Sequence, residues 1–315
     1  MDPTENTPDD ALTPQQAEQL AHVLSQHSDY RILRRLNLDG RLVHLQEGVR
    51  VAIIDTETTG VDANQDAIIE LGILVVMVDP ATGQAGQMVD RFSELEDPGF
   101  PIPPASTEVH GITDDMVKGR AFDAAQVAQV LKGVHLVVAH NAGFDRAFLE
   151  RRFEFMQDMP FACSYREIDW RAEGYGSAAL EFLVYRMGCF YDGHRAIHDC
   201  EALLGLLAEP LKETGRMPFA VLFERANEPE YVIHALKSAI ETKDVLKARG
   251  FRWSGDERVW KISVQGELQG REMIEWLKKE VYRVQPDQKV MLGFEKRGPQ
   301  RKYSRLPVKV SIKEV

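Results

Sequence analysis

Cysteine is scarce in this 315-residue chain. Cys163, Cys189 and Cys200 are its only three, and no two of them form a C-x-x-C pair. That excludes a cysteine-built zinc framework and a disulfide-stapled secreted scaffold, and it suits a reducing cytoplasm. Long apolar runs are also missing. The longest, "LGILVVMV" (Leu71 to Val78), falls far short of the roughly 20 residues that cross a bilayer, so no membrane association is expected. The opening "MDPTENTPDD" is acidic and polar, unlike a signal or transit peptide. No internal repeat and no low-complexity tract is visible.

What is abundant is charge, and it is unevenly placed. The formal net charge is −11. Residues 231–315 carry 19 Lys+Arg against 11 Asp+Glu, a balance of +8. Subtracting these from the totals of 38 and 49 leaves residues 1–230 with 19 and 38, a balance of −19. An acidic part beside a basic part fits a metal-binding site next to a nucleic-acid grip. The plain alternative is a solvated basic surface.

Residues 1–12, rich in Asp, Pro and Thr, are expected to be disordered. "PQQAEQLAHVLSQH" has helical spacing at Leu20, Val23 and Leu24, with Thr13 as its N-cap. "YRILRRLNL" is ambiguous. "VRVAIID", "AIIELGILVVMVD" and "RFSEL" are expected strands, followed by a proline-rich loop, "FPIPPAST". Then "AFDAAQVAQVLKGV" is a helix, "HLVVAHN" a buried strand and "GFDRAFLERRFEFM" the helix after it. "GSAALEFLVYRMG" and "HDCEALLGLLAEPLKE" add two more helices. Strands followed by alternating strands and helices predict an α/β domain over 49–215, after an N-terminal extension over 1–48. Pro218, Pro229 and the lack of a clear period predict a linker over 216–235. A small basic α+β accessory domain is expected over 236–315, with strands at "RVWKISV" and "KVMLGFEK".

The chemistry gathers in three places. "VAIIDTETTG" drives a buried strand into Asp55 and Glu57. Alternate strand residues share a face, so both carboxylates point the same way at the carboxyl end of the strand, where α/β sheets keep their ligand crevices. Two like charges this close repel, and burial adds a desolvation cost. A divalent cation with a taste for hard oxygen ligands, Mg²⁺ or Mn²⁺, would resolve both problems. The competing reading is a polar strand end dipping into solvent. "HNAGFDRAFL" places Asp145 in the first turn of the helix after another strand, where the helix dipole alone also favours an acid. "HRAIHD" supplies His194 and Asp199 at the start of a further helix.

"DTETTG", "HNAGFDRAFL" and "HRAIHD", in this order, resemble the three exonuclease motifs of the DEDD superfamily in its histidine subclass, the DnaQ-like group that includes proofreading subunits of bacterial replicases. "VHGITDDMV" matches the segment between the first two motifs. The resemblance covers about residues 49–215 and implies a ribonuclease H-like fold, a mixed sheet flanked by helices, with a second, smaller α+β domain outside it. It implies that Asp55, Glu57, Asp145 and Asp199 bind two Mg²⁺ or Mn²⁺ ions and that His194 is the general base. Thr58, Thr59, Gly60, His110, Gly111, Asn141 and Phe144 would line the pocket for the terminal nucleotide. The activity implied is 3′–5′ exonucleolytic hydrolysis of single-stranded or frayed DNA, with a DNA polymerase or repair complex as a possible partner. An RNA-trimming relative of the same superfamily and a catalytically inactive nucleic-acid-binding module are the alternatives.

His198, adjacent to Asp199, would project about 100° away from it on a helix, so it is read as a surface or packing residue. His140 and His135 are read as structural. Gly60, Gly111 and Gly143 each permit either a turn or a close approach to a nucleotide. In the basic region, Trp253 and Trp260 alternate with Arg249, Arg252, Arg258 and Lys261. They form either a stacking surface or the core of the small domain, and the core is the preferred reading. The segment "EKRGPQRKYSRLPVKVSIK" has seven basic residues and one acidic one, which suggests strand or partner binding.

Overall fold

The computed structural model describes residues 12–285 and 287–315, so most of the stretch expected to be disordered lies outside the described residues. Helix α1 (Pro14–Ser25) starts as its sequence predicts: the Thr13 hydroxyl accepts from Gln16 N, and the Gln16 side chain returns a bond to the Thr13 backbone. The ambiguous stretch after it is an edge device. Strand β1 (Arg34–Arg35) pairs in parallel with β7 (Cys189–Phe190), and Leu38 and Leu42 pack on the core. The N-terminal extension is therefore joined to the α/β body.

The main sheet is built from β2 (Val49–Thr58), β3 (Ile68–Val78), β4 (Ala85–Leu95), β5 (Val134–Ala139) and β6 (Phe161–Cys163), in the order β4-β3-β2-β5-β6. The first three run antiparallel, and β2, β5 and β6 are parallel to one another. Both faces are covered, which explains the near-continuous apolar runs of β2 and β3. Between β4 and β5 lie α2 (Pro104–His110), α3 (Asp114–Val117) and α4 (Ala124–Val130). The expected proline-rich loop thus contains the start of a helix, because Pro104 at its first position loses no needed hydrogen bond. On one face, α5 (Ala142–Arg152) packs Phe148 and Leu149 against Ile54, Ile73 and Val137. After β6 come α6 (Ser164–Glu167) and α7 (Leu180–Arg186). On the other face, α8 (Ala196–Leu207) packs Leu203, Leu204 and Leu207 against Ile53, Leu74 and Val76.

The expected linker over 216–235 is a correction. Helix α9 (Pro218–Asn227) buries Phe219 and Leu222 in the core beneath α8, and β8 (Glu230–Ala235) is the central strand of the second sheet. Pro218 sits at the helix start and Pro229 just beyond its end, so the prolines punctuate the helix and do not mark an open connection. The second sheet continues with α10 (Lys243–Ala248), β9 (Arg252–Ser254), β10 (Val259–Gln265), α11 (Gly266–Trp276), β11 (Met291–Arg297) and β12 (Ser311–Glu314). Its order is β12-β11-β8-β10-β9, antiparallel throughout. One face buries Ile233, Leu246, Met273, Leu277 and Leu292 in a core of its own, which confirms a second small α+β unit.

The basic segment after β11 is the second correction. Residues 298–306 form a strap that docks on the α/β body. Arg146, fully buried, donates to the carbonyls of Lys302 at 2.9 Å, Gln300 at 2.6 Å and Gln157 at 2.9 Å. Lys302, 1% exposed, pairs with buried Glu167 at 3.2 Å and donates to the Arg225 carbonyl. Tyr303 Oη donates to Glu167, and Ser304 Oγ and Arg305 N donate to Glu150. Part of this basic stretch, Lys302 above all, therefore satisfies buried groups of its own chain, while Arg305, Lys309 and Lys313 are exposed.

Candidate active site

Asp55 and Glu57 do share a face, at the carboxyl end of β2, while Thr56 and Thr58 between and after them are buried. Across the β2–β3 ladder, Asp55 faces Gly72 and Glu57 faces Glu70. Gly72 decides how close the third carboxylate comes. A Cβ there would lie 2.5 Å from the Ala196 carbonyl carbon, so only glycine admits the start of α8 against the sheet. The Cys200 thiol, one turn on, lies against the carbonyls of Ile53 and Gly72. Asp199 is thereby brought over β2, and a carboxylate oxygen from each of Asp55, Glu57 and Asp199 lies within 4.8 Å of the other two.

Asp145 closes the group from α5. It is 2% exposed, and its Oδ1 accepts from Thr56 N at 3.1 Å and Thr56 Oγ1 at 2.9 Å, so the residue between the two strand carboxylates anchors it. The sequence-predicted acids converge from three separate segments of chain.

Burial is the main cause of their perturbed acidity. It pushes Asp55 well above the usual carboxylate range, and the neighbouring Asp145, Asp199 and Glu57 push it further. Glu57 is raised to about 8 by burial, then by Asp199 and Glu70. Asp145 is raised to about 7 by burial, against the opposing Thr56 hydrogen bond. Asp199 is raised by burial, against the hydrogen bond from Tyr191 and the nearby His194. A set of crowded hard-oxygen donors that resists ionisation alone is a donor set suited to a divalent cation.

A stability consequence follows, with a definite sign. The unfolded chain releases these protons near pH 4, while the folded chain keeps Glu57 and Asp145 protonated to about 8 and about 7. The native state then binds more protons than the unfolded one between these limits, so stability falls as pH rises through the window. In chelator, the melting temperature is expected to drop between about pH 5.5 and about pH 8.5, and Mg²⁺ is expected to restore more at the higher pH. A melting temperature that rises with pH in chelator would separate these carboxyls from a cation site.

Three residues of this site carried no signal that pattern reading could use. Glu70, 1% exposed, accepts a forked pair of bonds from Arg195 at 2.7 to 3.1 Å and one from Ala196 N at 3.0 Å. It thereby ties the loop before α8 to β3. Arg195 N in turn donates to Asp199 Oδ2 at 3.2 Å, and Tyr191 Oη donates to Asp199 Oδ1 at 2.8 Å. Burial and the Asp199 carboxylate push the Tyr191 hydroxyl up, so it stays a donor. Glu70 hides within an apolar run, and Tyr191 in a short polar loop. Only the β2–β3 register and the fold of that loop bring them in.

Of the predicted catalytic residues, His194 alone is exposed. It lies on the loop before α8 with φ +63°, its side chain is 54% exposed, and Nε2 is 3.7 Å from Glu181. His198 is held by the Asp192 carbonyl at 3.0 Å. His140 bridges Ser164 Oγ and the Ala178 carbonyl, a structural arrangement in which burial lowers its basicity. His135 is exposed at the start of β5.

The residues expected in the nucleotide pocket border the carboxylates unevenly. Thr58 Oγ1 donates to the Gly60 carbonyl at 2.6 Å, and Thr59 Oγ1 to Asp66 at 3.3 Å. A Cβ at Gly60 would sit 2.5 Å from the Asp66 carboxylate, so a side chain there would have to move Asp66 off Thr59 Oγ1 and Asp62 N. Gly111, with φ +71°, ends α2, whereas Gly143 has no such constraint. His110 is buried, its Nδ1 accepts from Ile112 N, and its Nε2 has no partner among the described residues. Ser106 Oγ donates to the Thr59 carbonyl and ties α2 to the first motif. Asn141 caps α5 in the left-handed region, and Phe144 packs partly exposed against Phe148.

The family model "Exonuclease" (RNase_T) matches residues 52–207, which span the three motifs. Those residues form an exonuclease-family domain of the DnaQ-like group. Its sheet with flanking helices is the ribonuclease H-like exonuclease fold. Among curated proteins, the DNA polymerase III PolC-type of Oceanobacillus iheyensis is 39% identical over 108 residues, 32% of this chain and 7% of the relative. That of Bacillus subtilis is 32% identical over 183 residues, 54% of this chain and 12% of the relative. The chain thus spans 7% to 12% of the length of these relatives. A solved structure of Exonuclease X in complex with 5′ overhanging duplex DNA is 28% identical and covers 50% of this chain and 89% of that one, with a TM-score of 0.39. Among the described residues, no helix is long and apolar enough to cross a membrane.

Proposed function

We propose that this chain is a 3′–5′ exonuclease that removes nucleoside 5′-monophosphates from the 3′ end of single-stranded or frayed DNA. The observation that carries the reading is the convergence of Asp55, Glu57 and Asp199 within 4.8 Å, beside buried Asp145, inside an exonuclease-family domain. These four carboxylates would hold two Mg²⁺ or Mn²⁺ ions. When bound, such a pair stabilises the attacking and leaving oxygens of an in-line displacement.

The chain's own groups supply the rest. Tyr191 and Arg195 N hold both oxygens of Asp199 in place, and Thr56 fixes Asp145, so the carboxylates are preorganised. His194 is the candidate base: its exposed imidazole has no hydrogen-bond partner among the described residues and can accept the proton of the attacking water. The water oxygen forms the new P–O bond, and the bond to the 3′ oxygen of the penultimate nucleotide breaks. The strand is left one nucleotide shorter with a free 3′ hydroxyl. His110 Nε2, unpartnered, and the Phe144 ring offer a hydrogen bond and a stacking face to the terminal nucleotide, beside Thr58, Thr59, Gly60, Gly111 and Asn141.

DNA is preferred over RNA because the matched relatives are DNA polymerases, which also supports a polymerase or repair complex as partner. The three cysteines are free and buried, in keeping with a cytoplasmic protein. The deciding assay uses 3′- and 5′-end-labelled single strands of DNA and RNA with Mg²⁺, Mn²⁺ or chelator. Metal-dependent shortening from the 3′ end of DNA is expected. Cleavage confined to RNA would reassign the substrate, and binding without cleavage would make the domain a binding module.

The histidine assignment has its own test. His194→Ala is expected to slow single-turnover cleavage by about 10²–10⁴-fold, as loss of a general base does. His198→Ala should stay within a few-fold of wild type, because its ring is spent on the Asp192 carbonyl. Equal losses at the two positions would remove His194 from this role.

A further inference from the structure

Of the two tryptophans set among basic residues, one is not a core residue. Trp260 packs on the core of the second sheet, as the preferred sequence reading has it. Trp253, its cross-strand partner on β9, is 52% exposed, and the rings meet edge-on with centroids 5.6 Å apart. Strand β9 has only three residues and is the sheet's edge, so nothing in the described chain covers it beyond Trp260. A large aromatic left half in water forfeits burial that a smaller side chain would not miss.

The charges around it are mixed, with Asp244, Asp256 and Glu257 exposed beside the basic residues, but the arginines are unpaired. Arg249, Arg252 and Arg258 are exposed and have no ion pair among the described residues; the ion pairs nearby use Lys261, His234 and Arg297. The Arg249 guanidinium lies 5.4 Å from the Trp276 ring, which stacks on Phe251 beside the same edge. Lys243 and Lys247, four apart on α10, are exposed as well. Basic residues on an edge strand do discourage sheet-to-sheet pairing, and that explains Arg252. It does not explain an exposed tryptophan, which invites such contact.

We propose that the β9 edge is a second binding site for a single nucleic-acid strand, with a base stacked on Trp253 and phosphates held by Arg249 and Arg252. Adjacent strand residues project to opposite faces, so Trp253 and Arg252 offer a base contact on one side of the edge and a phosphate contact on the other. Without the docked strap and the segment after it, residues 231–297 carry 14 Lys+Arg against 10 Asp+Glu, a balance of +4 that suits a polyanion where the acidic body does not. An unpaired strand is required, because only unstacked bases present a free face. As a grip on the body of a substrate whose 3′ end sits at the carboxylates, the site rests on the exonuclease reading.

The test is equilibrium binding of fluorescein-labelled oligothymidine and oligouridine, about 20 nucleotides long, to the full chain in chelator. Trp253→Ala is expected to weaken binding about 5- to 100-fold, and Trp253→Phe to recover most of the loss. Arg249→Ala and Arg252→Ala should each reduce the slope of log K against log salt by about 0.7. Equal losses on both oligomers show a surface blind to the 2′ hydroxyl, and a loss on one shows which strand it serves. Unchanged affinity in Trp253→Ala, or Trp253→Phe as weak as Trp253→Ala, would overturn the assignment. So would a wild-type dimer that Trp253→Ala dissociates, since a second copy would then occupy the edge. Hydrolysis of the p-nitrophenyl ester of thymidine 5′-monophosphate by the wild-type protein reads the carboxylate site alone. Its absence would sink the exonuclease reading, while the binding data would still decide the surface.

Discussion

Asp55→Ala is expected to reduce Mg²⁺-dependent shortening of 3′-labelled single-stranded DNA by more than about 10³-fold, beyond the ~10²–10³ that loss of one preorganised electrostatic group typically costs. Asp55 stands at the meeting point of the site. It belongs to the central strand β2, and its acidity is raised by Asp145, Asp199, Glu57 and Glu70 together, after burial. The same crowding gives the prediction a second arm. Without a cation, Asp55 contributes repulsion and a desolvation cost, so its removal should leave the chelated protein folded and melting no lower than wild type. Activity and stability then move apart, as expected where a functional site is held against its own electrostatics. Turnover within tenfold of wild type would dismiss Asp55 as a ligand. A lower melting temperature in chelator would mean that the carboxylate is structural.

The motif carboxylates were legible because each occupies a position with a strong local rule: the end of an apolar strand, or the first turn of a helix after one. What the pattern could not show was the means of bringing them together. Gly72 sits inside "LGILVVMV", where a glycine is the least expected residue of a buried strand, and its reason is the backbone of Ala196, 124 positions away in sequence but in contact in space. Glu70 is similarly masked: a lone acid in an apolar run signals nothing until the ladder sets it opposite Glu57 and Arg195 reaches it. The corrected linker and basic tail share a different cause. Both were judged by composition. Phe219 and Leu222 are too few to announce a helix between two prolines, and a run of lysines and arginines looks solvated until buried Glu167, which Lys302 neutralises, and buried Glu150, which accepts from Ser304 Oγ and Arg305 N, are seen. Glu167 lies in the acidic part of the chain and Lys302 in the basic part, so one ion pair of the charge asymmetry is this contact seen from its two ends.

That contact makes the second prediction. A chain ending after about residue 297 keeps every motif residue, yet it is expected to be largely insoluble or to melt far below the full protein. Removing the strap takes two backbone acceptors, the carbonyls of Gln300 and Lys302, from the fully buried Arg146, and takes Lys302 and Tyr303 from Glu167 and Ser304 from Glu150. Breaking one buried ion pair by removing a partner costs about 3–5 kcal/mol, against a total stability of about 5–15 kcal/mol for a domain. Lys302→Met, which strands Glu167 while keeping the apolar stem, isolates a single step of this loss and should lower the melting temperature without removing the strap. The location of Arg146 gives the loss a catalytic reading too. It follows Asp145 directly in α5, and the strap's Tyr303 lies 4.0 Å from a Cβ built on Gly143 in the same first turn. Any soluble Lys302→Met protein is therefore expected to lose kcat more than it gains in KM, since the helix that presents Asp145 would be less firmly seated. Thermal melts and steady-state kinetics of the two proteins check both halves. A truncated chain as stable and as active as the full one would mean that the exonuclease domain stands alone and that the strap merely rests on it.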